Sequence, residues 1–315
     1  MITTRLISEL KNITSPDRVR EKEILAQHCS FRTGGPADLF IRVASADELE
    51  RTLDALSSSG CEVFLIGRGT NLLIGDGGFR GAVVTMCTPA SEESELTKIS
   101  VDQSQSDEYI LKAGAGASLF KIAMAAKDAC LAGFEFAAGI PGSLGGAVVM
   151  NAGAYGGEMK NEVRSVDVLY PGIGIKRYDA QEMNFGYRTS RVKHDGGIVL
   201  SAEIALNPGD PEKISALIAE LTQKRREKQP LEFASAGSTF KRPEGYFAGK
   251  LIQDAGLKGF SVGDAQVSEK HAGFVINRGG ASAAQIRKLI EEVQRIVLEN
   301  SGVQLEREVI FLGEF

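Results

Sequence analysis

Three short loops hold the residues through which this chain could grip a phosphate: "GRGTN" (67–71), "GAGAS" (114–118) and "GIPGSLGGAVVMNAGAYGG" (139–157). Glycine supplies positive φ angles and lets backbone N–H groups come close to an anion. The third loop has no charged side chain and could build no core of its own. Tight turns and close strand packing use the same glycines, so one loop alone decides nothing. Three in one chain, each following a strand-like run, favour a bound ligand.

The common nucleotide motifs do not fit. "GAGASL" starts as G-x-G-x-x-G, but Leu119 stands where the third glycine belongs, and no downstream acid follows for a ribose. "GYFAGKL" is one residue short of a P-loop and has Leu251 in place of the Mg²⁺-binding hydroxyl. In "GRGTNLLIG" the loop runs into a strand, so a phosphate there would rest on backbone amides and on Thr70 and Asn71. Cys29, Cys61, Cys87 and Cys130 are scattered without C-x-x-C, and His28, His194 and His271 lie far apart. A sequence-local metal site is therefore not expected, and the thiols suit a reducing cytoplasm.

The elements that must carry these loops alternate between strand and helix. Asp38 to Val43 reads as a strand, and Ser45-Ala-Asp-Glu48 as a capping box opening a helix with Leu49, Leu53 and Leu56 on one face. Gly60 ends it. "VFLIG" (63–67) and "NLLIG" (71–75) read as short buried strands, with "DGG" (76–78) turning the chain. Residues 89–108 read as a solvated hairpin or loop, and "YILKAGAG" as a strand entering a glycine turn. Ser118 should cap a helix running to Ala132 and closed by Gly133. Strands are expected at 163–169 and 198–206. Asp210 and Pro211 should open a helix with Ile214, Leu217, Ile218 and Leu221 on one face, ending in the basic "KRREKQP". Ser282-x-x-Gln285 should cap a second long helix, and "VQLEREVIFLG" should form a strand placing Glu306 and Glu308 on one face.

The 315 residues are 43% hydrophobic and 24% charged, an ordinary globular balance. A formal net charge of -5 argues against a general nucleic-acid binder but allows a local basic pocket. "MITTRLISEL" has no apolar signal core. The uncharged run from Phe136 to Gly157 is long enough to cross a membrane, yet glycines, Pro141 and Asn151 break it. It reads as soluble loop and buried turn.

Taken together, "LIGRGTNLLIGDGGFRG" and "GAGASLFKIAMAA…AGFEFAAGIPGSLGGAVVMNAGAYG" resemble the two-part FAD cradle of the vanillyl-alcohol-oxidase-like flavoproteins. In order and detail, through "FGYRTS", "SAGSTFKRP", "AGKLIQDAGLKG", "VSEKHAGFVIN" and "LEREVIFLG", the chain resembles the UDP-N-acetylenolpyruvoylglucosamine reductase (MurB) family. The resemblance implies an α+β chain: an N-terminal segment (1–30), a two-part FAD-binding domain of the vanillyl-alcohol-oxidase (PCMH) type (31–210, with subdomains about 31–88 and 89–210) and an α+β substrate-binding domain (211–315). It implies noncovalent FAD held by Gly67, Arg68, Gly69, Thr70, Asn71, Leu72, Gly114, Ala115, Gly139, Ile140, Pro141, Gly142, Ser143, Gly145, Gly146, Asn151, Ala152 and Gly153.

The implied reaction is an NADPH-dependent reduction of UDP-N-acetylglucosamine enolpyruvate for peptidoglycan synthesis. It needs a hydride at the β-carbon, a proton at the α-carbon, and stabilisation of a carboxylate that becomes enolate-like. Arg188 could hold the carboxylate through two hydrogen bonds, though most arginines simply lie on surfaces. Ser238 has no nucleophile elbow around it; the family makes the matching serine the proton donor. Glu308 would by default be an exposed strand residue, and the family places the matching glutamate beside the arginine. Tyr187, Lys241, Arg242, Lys258 and His271 are candidate contacts to the UDP-sugar. The position of Arg242 is often asparagine in the family, which leaves its role open. Only fifty residues separate Arg188 from Ser238 (238 − 188), so this is the shorter family form, without the segment that carries a tyrosine lid. A cytoplasmic monomer is expected, without metal, membrane or nucleic-acid partner. The alternative is a flavin-dependent sugar or hydroxy-acid oxidase of the same fold, which would need no serine donor.

Overall fold

The computed structural model describes residues 2–89, 91–92, 94–103 and 109–315. Contacts divide the chain into two compact units. The first comprises Met1–Arg20, Phe40–Arg68 and Ala82–Lys224; the second comprises Glu21–Leu39, Gly69–Gly81 and Arg225–Phe315. The α+β composition expected from the sequence is observed. A continuous C-terminal unit starting at 211 is not how the contacts fall, since two early segments join the last third of the chain.

The centre of the first unit is an antiparallel sheet in the order Gly174–Asp179, Val163–Tyr170, Ile198–Pro208, Tyr109–Gly114, Ile99–Gln103. Its inward positions, among them Leu111, Ala113, Val166, Val168, Ala202 and Ile204, are almost fully buried against Leu119, Ile122 and Leu144. Alternation along the strands sends these side chains to one face, where apolar burial drives collapse. The strand at 174–179 has no apolar alternation, because it forms an edge with mostly exposed side chains. A separate pair, Val63–Ile66 and Ala82–Thr85, runs parallel. Parallel partners need a crossover between them, and the chain from 67 to 81 supplies it.

Two helix expectations need correction in this unit. The helix capped by Ser118 ends at Asp128, not Ala132. Leu131 and Ala132 are instead taken by pairing with Pro208 and Asn207, and Cys130 adopts φ +56 to turn the chain. At Ser45 the capping box is only half formed. The serine accepts from Glu48 N–H, but the Glu48 carboxylate reaches past it to Ala44 N–H at 2.7 Å. The same carboxylate is ion-paired with Arg18 at 3.3 Å. Within the stretch 89–108, expected as a solvated hairpin or loop, residues 99–103 form a strand that pairs with 109–113; residues 90, 93 and 104–108 lie outside the described residues.

In the second unit an antiparallel sheet runs Ala234–Ser238, Phe274–Asn277, Ala265–Val267, Ser261–Val262. The helix Ala283–Ser301 packs on it with Ile286, Leu289, Ile290, Val293 and Val297 at 1% exposure or less. Each such burial is worth roughly 1.5–3 kcal/mol. Here the capping box is complete: Ser282 and Gln285 bond reciprocally. Gly302 at φ +70 ends the helix. Beside it, Leu72–Ile74 pairs in parallel with Ile310–Leu312. The helix Pro211–Lys228 forms as expected, but of its apolar row only Ile214 is buried and Leu217 is exposed. Among the described residues no helix is long and apolar enough to cross a membrane.

The start of the long helix has a second anchor. Asp76 accepts from the N–H groups of Ala283 and Ala284 at 2.8 and 2.9 Å, placing negative charge on the helix N-terminus. Asp76→Ala should lower stability by about 1–2 kcal/mol, the usual cost of losing a helix cap. Urea unfolding followed by circular dichroism would show it as a lower midpoint with unchanged slope.

Candidate active site

In the first unit the glycine loops meet backbone to backbone. Leu119 N–H donates to Gly142 O at 3.1 Å, Leu144 N–H to Ala117 O at 2.9 Å and Gly145 N–H to Ala115 O at 2.8 Å. Gly67 lies against the same point, since a Cβ there would sit 2.5 Å from Ser143 Oγ. Ser143 is itself 3% exposed. The half-buried Cys87 borders this junction: its backbone N–H donates to Thr85 Oγ1 at 3.1 Å, and burial pushes its thiol pKa up against the opposing pull of the Thr85 and Ser143 hydroxyls and the Arg68 charge. Nothing in the spacing of the cysteines pointed to Cys87 there.

The glycines divide by what surrounds them. A Cβ on Gly114 would strike the Leu96 backbone at 2.3 Å, and one on Gly145 would press Ala115 Cβ at 3.0 Å. Those two serve the packing of the protein on itself. Gly146 differs: its Cβ would meet only Ser143 Oγ, at 3.7 Å, and the residue is exposed. This is the open face of the cradle, with a helix turn, Leu144–Val149, rising from it. An extended cofactor with a pyrophosphate fits such a surface of small residues and backbone. In the second unit Gly69, at φ +61, is needed for packing, because a Cβ would meet His28 O at 2.0 Å.

Arg188 sits at the tip of a two-residue hairpin in the first unit, where Gly186 N–H donates to Thr189 O at 3.0 Å. Its φ of +56 is a turn conformation that normally takes glycine. A non-glycine residue there costs about 1 kcal/mol or more, and such strain gathers at functional positions. The guanidinium lies 5.2 Å from the ring centroid of Tyr187, which is exposed.

Ser238 and Glu308 come together in the second unit. The register slips between Ser235 and Ser238 opposite Phe274–Ile276, with Gly237 at φ +75. This bulge re-aims the strand: Ser238 is exposed while Thr239, next along, is fully buried and its hydroxyl accepts from Val275 N–H. Glu308 N–H then donates to Thr239 O at 2.9 Å, and Lys241 N–H to Glu306 O at 2.8 Å. Asn71 completes the frame: its side-chain Nδ2 donates to Glu308 O at 3.0 Å, and its backbone carbonyl accepts from Ile310 N–H at 3.0 Å. Asn71 thus holds Glu308, a role its place in a glycine loop did not suggest. Thr239 was missed as well, although it directly follows Ser238.

The other candidates are distributed around these cores. Lys241 is ion-paired with Glu306, and Arg242 lies 4.0 Å over the Phe247 ring. Burial, with the charge of Lys258 nearby, pushes His271 below its ordinary pKa. Its Nδ1 accepts from Gly273 N–H at 3.1 Å, so the neutral ring carries its proton on Nε2. Asn151 is 1% exposed and its side chain bonds wholly within the protein: to Glu158 Oε2, Gly186 O and Lys160 N–H. Among the described residues no group of His, Cys, Asp and Glu is placed to hold a metal ion.

Residues 37–174 match a family model described as an FAD binding domain. The junction of small-residue loops lies within that match. Residues 229–312 match the C-terminal domain of UDP-N-acetylenolpyruvoylglucosamine reductase. The chain is 48% identical over 309 residues to the UDP-N-acetylenolpyruvoylglucosamine reductase of Lachnoclostridium phytofermentans, covering 98% of this chain and 97% of that one. It is 49% identical over 296 residues to that of Agathobacter rectalis, covering 94% of each. The crystal structure of the Thermus caldophilus enzyme, 33% identical, superposes with a TM-score of 0.77 over 93% of this chain and 99% of that one. The chain belongs to the UDP-N-acetylenolpyruvoylglucosamine reductase (MurB) family, as a flavin oxidoreductase with an FAD-binding domain followed by the family's C-terminal domain.

Two outcomes follow from this geometry. Gly146→Val should leave the flavin-free protein as stable as the parent and abolish FAD binding. Gly145→Val should lower stability before any cofactor is added. Thermal melts of apoprotein, paired with flavin titration, separate the two. For His271, a folded-state pKa below the unfolded value means its contribution is complete above about pH 6.5 and is lost as pH falls through the folded value. Stability measured from pH 7.5 to 5 should fall less steeply in His271→Asn than in the parent.

Proposed function

We propose that the chain reduces the enolpyruvyl double bond of UDP-N-acetylglucosamine enolpyruvate to give UDP-N-acetylmuramate for peptidoglycan, drawing on NADPH. FAD, noncovalently bound, would supply the hydride that adds to the β-carbon. Everything else falls to side chains. The observation that best supports this reading is the bulge that exposes Ser238 while Thr239 fixes Glu308 beside it. A packing serine would need neither.

Arg188 holds the substrate carboxylate with a planar pair of donors, and its grip strengthens as charge moves onto those oxygens. Ser238 gives a proton to the α-carbon, balancing the hydride at the β-carbon so that the double bond becomes a single bond. An enolate carbon is basic enough to take a hydroxyl proton where water is kept out. Glu308 in its acid form donates to the same oxygens. Tyr187, Lys241, Arg242, Lys258 and His271 contact the UDP-sugar, with His271 offering Nε2–H to an acceptor. The enzyme works in the cytoplasm as a monomer.

Anaerobic spectroscopy tests the reading: NADPH should bleach the flavin, and the enolpyruvyl compound should restore its colour. An enzyme that bleaches but is recoloured only by oxygen would be an oxidase, and the reading would be wrong. In Ser238→Ala the bleaching step should be unchanged and the recolouring step slowed by about 10²-fold or more, the scale of a lost positioned acid. Ser238→Cys should recover part of that rate. Arg188→Lys keeps charge but loses the planar fork, and should likewise spare the first step and impair the second.

A further inference from the structure

The hairpin bearing Arg188 is fastened to the end of the glycine-rich cradle. Asn151, in the sequence "MNAG" that closes the cradle, donates through Nδ2 to Gly186 O at 3.0 Å and to Glu158 Oε2 at 2.8 Å. Its Oδ1 accepts from Lys160 N–H at 2.9 Å. Both ends of the hairpin are tied to this region, since Ser190 Oγ donates to Val149 O at 2.9 Å. Asn151 and Ser190 are each 1% exposed. Further along, Thr189 Oγ1 meets His194 Nε2 at 2.8 Å, and Lys193 Nζ donates to Arg188 O at 2.8 Å. Asn151 itself has φ +42, a conformation asparagine tolerates better than most residues.

We infer that Asn151 and Ser190 are positioning residues for Arg188, holding the strained hairpin to the cradle so that the guanidinium is set before substrate arrives. The inference rests on the role proposed for Arg188. Physically, a turn with an arginine at φ +56 would relax unless its flanks were fixed, and here each flank has a hydrogen bond joining it to residues 149–151 through a buried residue, Asn151 or Ser190. Such bonds are costly to break, because the buried Asn151 amide and Ser190 hydroxyl would be left without these acceptors. The cradle and the carboxylate-binding arginine are thereby one rigid piece. An error of even about 1 Å in such a group can cost about 10²-fold in rate.

Asn151→Gly tests this cleanly, because glycine keeps the positive φ and removes only the side-chain bonds. Ser190→Ala tests the other flank. The first measurement is amide hydrogen exchange of the flavin-free protein. Exchange at residues 187–189 should quicken by about 10-fold or more in either variant, as expected when a local tether is lost. The second is the pair of half-reactions with FAD bound. In Ser190→Ala flavin reduction by NADPH should stay within about twofold of the parent, while in either variant reoxidation by the enolpyruvyl substrate should slow by about 10-fold or more. Unchanged exchange together with parental reoxidation would overturn the inference. So would loss of FAD affinity with both half-reactions impaired alike, which would make Asn151 a cofactor contact. If the parent itself does not reduce the enolpyruvyl compound, the role of Arg188 fails, and the exchange measurement still decides whether the tethers hold the hairpin.

Discussion

Backbone meeting backbone without intervening side chains is the constraint on which the first unit depends. Leu119 to Gly142, Leu144 to Ala117 and Gly145 to Ala115 are hydrogen bonds between two loops that could not approach if either carried bulk. The central strands, Tyr109–Gly114 and Ile198–Pro208, deliver the second loop to this junction, where Ala115 N–H donates to Leu200 O at 2.8 Å. Their buried faces supply the apolar drive, and the loops spend part of it on ordering residues that contribute almost no side-chain burial themselves. Glycine at 114 and 145 is required by the protein's own packing. Glycine at 146 has no such neighbour, and that difference turns a general impression of a phosphate loop into a surface with a defined open side.

The second unit solves a different problem, which is to set the backbones of Ser238 and Glu308 on neighbouring irregular segments. An uninterrupted strand would alternate Ser238 and Thr239 across the sheet without further adjustment. The bulge with Gly237 frees Ser238, and the buried Thr239 spends its hydroxyl on Val275 and its carbonyl on Glu308. Asn71 then supports Glu308 from the other side of the peptide. Ser238 and Glu308 are thus each held by a neighbour whose own side chain is committed.

Much of this was legible in the sequence where the signal was local. The helix Ala283–Ser301 has a complete capping box, a clear apolar stripe and a terminal glycine, and it forms as the pattern dictates. Signals failed where a distant segment intervened. The helix after Ser118 stops early because residues 207 and 208 claim 132 and 131 as strand partners. The Glu48 carboxylate bonds to Ala44 N–H and to Arg18, thirty residues away, so only half of the box at Ser45 forms. The strand Gly174–Asp179 has no apolar alternation to read, being an exposed edge. At the site, motif resemblance pointed to Arg188, Ser238 and Glu308, but no spacing rule could show that Asn71 supports Glu308 or that Asn151 reaches Gly186. Those contacts span 237 and 35 residues, and only the fold brings them together.

The pairing of Leu72–Ile74 with Ile310–Leu312 also has a bearing on how the chain is made. A ribosome delivers residues in order, and domains tend to fold as units during synthesis. Every segment of the first unit has been translated once Lys224 is added, whereas residues 69–81 must wait for partners translated more than two hundred positions later. During that interval Leu72, Leu73 and Ile74, all buried in the finished protein, have no strand beside them. An apolar strand left unpaired in this way is a target for aggregation or for chaperones. The nascent chain is therefore most vulnerable after its first unit is complete and before its second can close.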